Sequence, residues 1–174
     1  EILLVSSGAL ALGKKSLNFK KNNLKVSEKQ AASSVGQVLL INAWKKAFLK
    51  YKKQCGQILL THLDAEIRSS AINARNTIES LLKLNSIPII NENDSVATQE
   101  LRYGDNDQLA ARVAQITSSN LLIILSDVDG LYTSNPKKSS NASLIKYIRK
   151  ITKSIEKHAE NTSSSIAVGG MKTK

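Results

Sequence analysis

The sequence has 174 residues, 41% hydrophobic and 22% charged, with a formal net charge of +11. That length and balance allow a domain with a buried core and exclude a disordered chain. No apolar run reaches membrane-spanning length, no signal peptide is visible, and the lone Cys55 excludes an internal disulfide or a cysteine-rich metal site.

A solitary cysteine, read as a small core residue, fits a reducing cytoplasm. The basic balance raises nucleic-acid binding as a possibility to weigh. The lysines are dispersed, at 14, 15, 20, 21 and 25, at 45, 46, 50, 52 and 53, and at 137 and 138, and no aromatic residues interleave with them. That pattern describes a solvated surface, so neither nucleic acid nor membrane is expected as a partner.

In chain order, residues 2–5 form a buried-type strand. Ser6-Ser7-Gly8 follows and opens a helix at Ala9; small hydroxyl residues at such a turn cap the helix and offer backbone N–H groups to an anion. Residues 14–25 read as an exposed basic loop. Ser27 is expected to cap a long helix to about Tyr51, whose apolar residues cover more than one stripe. Burial inside the domain plus a homo-oligomer contact is the expectation, with Trp44 in the core.

Residues 57–61 are the next strand, and residues 70–84 a helix with Ile78, Leu81 and Leu82 inward. Residues 87–90 form a short β-rich apolar strand that empties into Asn91-Glu92-Asn93-Asp94-Ser95. Residues 96–103 are read as a short hairpin. Residues 105–117 are helical, with Asp105 and Asp107 in a first turn favoured by the helix dipole. Residues 121–125, Leu-Leu-Ile-Ile-Leu, are the most hydrophobic strand, and their continuous apolar character predicts a parallel sheet covered on both faces. Ser126-Asp127-Val128-Asp129-Gly130 ends that strand. Residues 145–148 are a weaker strand, and residues 152–160 a short helix. No linker or internal repeat is visible. The chain opens inside a strand and stops at Lys174 where a helix starts, so both ends read as truncated.

Strands alternating with helices give an α/β fold: a three-layer αβα sandwich with a mainly parallel central sheet. Its ligand site belongs at the carboxyl ends of the strands. Glu92, Asp94, Glu100, Asp105, Asp107, Asp127 and Asp129 are half of the 14 acidic residues, and they lie within one stretch of a basic chain. Gly169-Gly170 at the other end carries Lys172 and Lys174, a glycine turn with lysines suited to a phosphate. No Walker loop occurs, and His62 and His158 lack metal-ligand spacing, so no protein metal site is expected. An acidic pocket, anion-binding turns and a terminal lysine suit phosphoryl transfer, which rests on positioning and charge stabilisation.

The segments Val5-Ser6-Ser7-Gly8-Ala9-Leu10, Ala32-Ser33-Ser34-Val35-Gly36-Gln37, Pro88-Ile89-Ile90-Asn91-Glu92-Asn93-Asp94, Gly104-Asp105-Asn106-Asp107, Ser126-Asp127-Val128-Asp129-Gly130-Leu131-Tyr132 and Gly169-Gly170-Met171-Lys172-Thr173-Lys174 resemble the amino acid kinase family in order and spacing. The resemblance covers essentially the whole chain, which is then a partial amino acid kinase domain over residues 1–174. It implies transfer of the γ-phosphate of ATP to the side-chain carboxylate of L-glutamate, with Mg²⁺ accompanying ATP. It also implies that Ser7, Asp94 and Asn106 bind glutamate. Ser126 and Asp127 would bind ATP, with Val168, Gly169, Gly170, Met171, Lys172, Thr173 and Lys174 around its phosphates. Asp107 and Lys174 would be catalytic, Asp107 by organising lysines. Two positions depart from the family pattern: Ser6 stands where it usually has Thr, and Ala167-Val168 where it usually has Gly-Thr. The family's first strand, with its phosphate-binding lysine, is absent from this chain. Other readings are a different amino acid or carbamate kinase, a non-catalytic amino acid or nucleotide sensor, and a basic RNA-binding protein.

Overall fold

The computed structural model describes residues 1–21, 23–96, 106–136, 139–160 and 171. They group into two compact units, Glu1–Leu121 and Leu122–Lys174.

The first unit is built on a three-stranded parallel sheet. Strand β1 (Leu4–Val5), β2 (Gln54–Leu60) and β3 (Ser86–Glu92) lie in the order β1-β3-β2. Ile89 pairs with Leu4 on one side and Gln57 on the other, and Ile90 with Val5 and Ile58. Because side chains alternate across a strand, Val5, Ile58, Leu60 and Ile90 share one face. They meet Ala74 and Ile78 of helix α4 (Arg68–Lys83) and Leu109 and Val113 of helix α5 (Asn106–Ile116). Each of these large side chains contributes about 1.5–3 kcal/mol by leaving water. On the opposite face, Gln57 meets Gln37 of helix α2 (Val26–Leu49). Helix α1 (Ala9–Ser16) packs on α2. Helices on both faces of a parallel sheet give the expected α/β layering.

The two helices touch at their backbones. A Cβ added at Gly36 of α2 would lie 1.7 Å from the Ala9 carbonyl oxygen of α1. Only glycine admits that approach.

Several local expectations are corrected. Helix α1 starts after Gly8, whose φ of 101° is left-handed, with no side-chain cap from Ser6 or Ser7. Helix α2 begins one residue before Ser27, and Lys25 precedes it, its N–H donating to the Glu28 carboxylate at 2.8 Å. The basic segment is helical to Ser16, and Leu24 within it is buried. One apolar side of α2, at Val38, Leu39 and Leu49, is exposed among the described residues, which leaves the expected homo-oligomer contact open. A short helix α3 (His62–Glu66) precedes α4, capped by reciprocal bonds between Thr61 and Asp64.

The expected strand at 121–125, which begins at the last residue of the first unit, pairs with none of the described residues, and Leu121, Ile123 and Leu125 are exposed. Apolar character supplies propensity, but a strand exists only where a partner edge accepts its hydrogen bonds. Residues 145–148 are likewise no strand. The pairing there is an antiparallel bridge between Tyr132 and Leu144, flanked by Ile145 N–H donating to the Leu131 carbonyl at 2.7 Å. Helix α6 (Lys153–Glu160) is close to the span expected. The hairpin read at 96–103 lies almost wholly outside the described residues.

Candidate functional site

The parallel register brings the carboxyl ends of β1 and β3 side by side. Ser6 leaves β1 with its N–H donating to the Ile90 carbonyl at 2.8 Å, so the Ser6-Ser7-Gly8 turn starts beside β3. Ser6 is buried and Ser7 is exposed. Strand β3 runs out into Asn93, whose N–H still donates to the Leu60 carbonyl at 2.9 Å, and then into Asp94. Helix α5, which opens at Asn106, contacts both β1 and β3.

This corner of the unit is polar and dry. Asn91, Glu92 and Asp94 are 2%, 1% and 8% exposed. Burial pushes the Asp94 carboxyl up to about 6, the neighbouring Glu92 charge adds to the rise, and the Ser33 hydroxyl of α2 opposes it. Asn91 Nδ2 and Asn106 Oδ1 are buried without a hydrogen-bond partner among the described residues. Glu92 has its carboxylate 3.9 Å from His62 Nε2. Buried polar atoms are normally paired. Open polar atoms at Asn91 and Asn106 and a buried carboxyl at Asp94 are groups that a polar ligand can satisfy.

Helix α2 lines this corner. Gln37 donates from Nε2 to the Glu92 carbonyl at 3.1 Å and accepts from Gln57 Nε2 at 3.2 Å. Trp44 donates from Nε1 to Ser6 Oγ at 2.8 Å and stacks on Phe48 with ring centroids 5.7 Å apart. Ser33, Gln37 and Trp44 are four and seven residues apart and so share one helix face.

Of the residues read from sequence, Ser7 follows β1, Asp94 follows β3, and Asn106 and Asp107 open helix α5, which contacts both strands. Ser126 and Asp127 are exposed in the second unit. Ser126 lines a cavity of about 580 Å³ there with Ile124, Leu131, Ile155 and Met171, while Asp127 does not. Val168, Gly169, Gly170, Lys172, Thr173 and Lys174 lie outside the described residues, as do Glu100 and Asp105. Of the acidic stretch, Glu92, Asp94 and Asp107 are in the first unit, and Asp127 and Asp129 in the second.

Sequence reasoning had Ser33 and Gln37 in a family-like segment but gave them no role, and placed Trp44 in the core, where it is only half-buried. Their common face was the available signal, hidden because α2 reads as an apolar packing helix.

The sequence pattern of the Amino acid kinase family matches residues 1–174. The chain is 54% identical to a glutamate 5-kinase of Pelagibacter ubique (strain HTCC1062), over all of this chain and 47% of that protein. It is 51% identical to glutamate 5-kinases of Rhizobium etli (strain CIAT 652) and Bartonella henselae, again over its whole length and 45% and 46% of theirs. The chain thus spans about half the length of the curated relatives it matches. A parallel sheet clad by helices, a polar corner at its carboxyl edge and a family pattern that runs from the first residue to the last lead to one assignment: the chain belongs to the amino acid kinase family.

Proposed function

We propose that the protein carrying this chain transfers the γ-phosphate of ATP to the side-chain carboxylate of L-glutamate, giving L-glutamyl 5-phosphate, the first step of proline biosynthesis. The observation that carries this reading is the buried Asp94 carboxyl just past the end of β3, beside Glu92 and the Ser33 hydroxyl. A carboxylate in a dry corner is costly alone and favourable once an ammonium group pairs with it. The relatives' name supplies the amino acid that has such a group and a second carboxylate to phosphorylate.

In this reading Ser7, Asp94 and Asn106 hold glutamate. Ser7 and the backbone N–H groups of its turn face the anionic end, and Asp94 takes the ammonium. The attacking carboxylate is ionised at neutral pH, so the reaction needs no general base. Ser126 and Asp127 hold ATP, with residues 168–174 around its phosphates. Lys174 offsets charge on the phosphoryl group in flight, and Asp107 organises the lysines. Mg²⁺ arrives with ATP, held mainly by phosphate oxygens and water. A homo-oligomer is part of the proposal, supported by the exposed apolar side of α2 at Val38 and Leu39. The cytoplasm, expected from the lone Cys55, is its proposed location.

The test is ADP release by the open reading frame that carries this chain, with Mg²⁺-ATP and L-glutamate, and with hydroxylamine to trap an acyl phosphate. Glutamate-dependent turnover with trapped product is expected. Turnover with another acceptor alone would move the chain to a different kinase of the family. Glutamate binding without turnover would make it a sensor.

A further inference from the structure

We infer that Trp44 is a positioning residue for the Ser6-Ser7-Gly8 turn, acting through its indole N–H. The inference rests on the reading of Ser7 as part of the glutamate site, and it concerns how that residue is held.

Ser6 is fixed from two sides. Its backbone N–H donates to the Ile90 carbonyl of β3 at 2.8 Å, and its hydroxyl oxygen accepts from Trp44 Nε1 at 2.8 Å. The residue is 7% exposed, so neither bond competes freely with water. Gly8, on the far side of Ser7, holds the left-handed φ of 101° that admits the chain to α1. Ser7 thus stands exposed between two fixed neighbours. Strand β1 cannot do this alone, since it pairs with β3 over only Leu4 and Val5.

Trp44 is itself held. Its ring stacks on Phe48, nearly parallel at 15°, on the next turn of α2. It shares its helix face with Gln37, which donates to the Glu92 carbonyl two residues before Asp94. One helix face therefore sets both the Ser7 turn and the strand end that leads to Asp94. The indole contributes one donor at a fixed distance, and Ser6 supplies the acceptor. Threonine would keep that oxygen, and alanine would remove it.

The decisive set is Trp44→Phe, Ser6→Ala, the double variant and Ser6→Thr, made in the full open reading frame. Trp44→Phe keeps an aromatic ring that can stack on Phe48 and removes the N–H together with one ring of the indole, so Ser6→Ala isolates the hydrogen bond itself. Loss of one neutral hydrogen bond predicts a rise of roughly three- to tenfold in glutamate KM, with ATP KM and kcat changing less than twofold. Ser6→Ala should match it, the double variant should be no worse than either single, and Ser6→Thr should keep the parent KM. Effects that multiply in the double variant, or singles that leave the glutamate KM unchanged, would overturn the inference.

A second arm does not depend on turnover. Trp44 is the only tryptophan in the chain, so its fluorescence reports this one indole if no other tryptophan is present or the others are replaced. Ser6→Ala should shift its emission and Ser6→Thr should not; identical spectra for all three proteins would overturn the inference. A parent that ignores glutamate would sink the proposed function and leave this arm to decide the bond.

Discussion

Asp94→Asn should stabilise the chain while damaging its site, and by an amount that depends on pH in a calculable way. The Asp94 carboxyl is raised from 3.8 to about 6, first by burial and then by the Glu92 charge beside it. At about 1.36 kcal/mol per pH unit, holding the charged form in the folded state costs about 3 kcal/mol. Residual contact with solvent screens part of this, leaving about 2 kcal/mol. The sign follows from the direction of the rise. Below 3.8 the group is protonated whether the chain is folded or not, and it contributes no penalty. The penalty grows as pH rises from there towards 6 and is complete above it. An asparagine carries no charge at any pH, so the variant lacks this loss. Urea denaturation of parent and variant at pH 4 and pH 7.5 measures the difference. The two proteins should agree within about half a kcal/mol at pH 4, and the variant should be more stable by about 2 kcal/mol at pH 7.5. Equal differences at both pH values, or a less stable variant at pH 7.5 alone, would refute the account of Asp94 as a charge held at a cost.

The same substitution should raise the glutamate KM of the full protein far more than the ATP KM, because a charged hydrogen bond is worth roughly 1.5–3 kcal/mol; equal weakening for both substrates would remove Asp94 from the glutamate site. Parent glutamate affinity should rise with pH through about 6, where the Asp94 carboxyl ionises, and calorimetry in that range would record it. Gly36→Ala places a methyl 1.7 Å from the Ala9 carbonyl oxygen, so α1 must move or the fold must loosen, with a loss of about 3 kcal/mol or more in urea titration. Ile78→Ala, at 1% exposure against Ile90 and Leu109, should cost about 2–5 kcal/mol and leave substrate KM values unchanged in whatever still folds.

How far the sequence is legible depends on whether a signal is local. Strand β3 and helix α5 were readable because apolar residues and turn formers marked both within a few positions. The run Asn91 to Asp94 was readable as the polar end of β3 because polar residues follow a buried strand directly. The run at 121–125 misled, since continuous apolar character shows that a segment wants burial and not that an edge is available to it. Helix caps misled for a related reason. Ser6 has the chemistry of a cap, but its oxygen is taken by an indole 38 positions away. No local rule carries that information. Helix α3 was missed although Thr61 and Asp64 stand at capping-box spacing, because five residues are too few for periodicity to register. The polar face of α2 was missed because its three residues are separated by apolar ones that dominate the helix.

Strand β1 has two residues in the ladder, and the turn it delivers is moored to α2 by an indole and by a helix crossing with no side chain between the backbones. The Ser7 turn is therefore tied to helix α2 as well as to the sheet, and the same helix carries the exposed Val38 and Leu39 on another side.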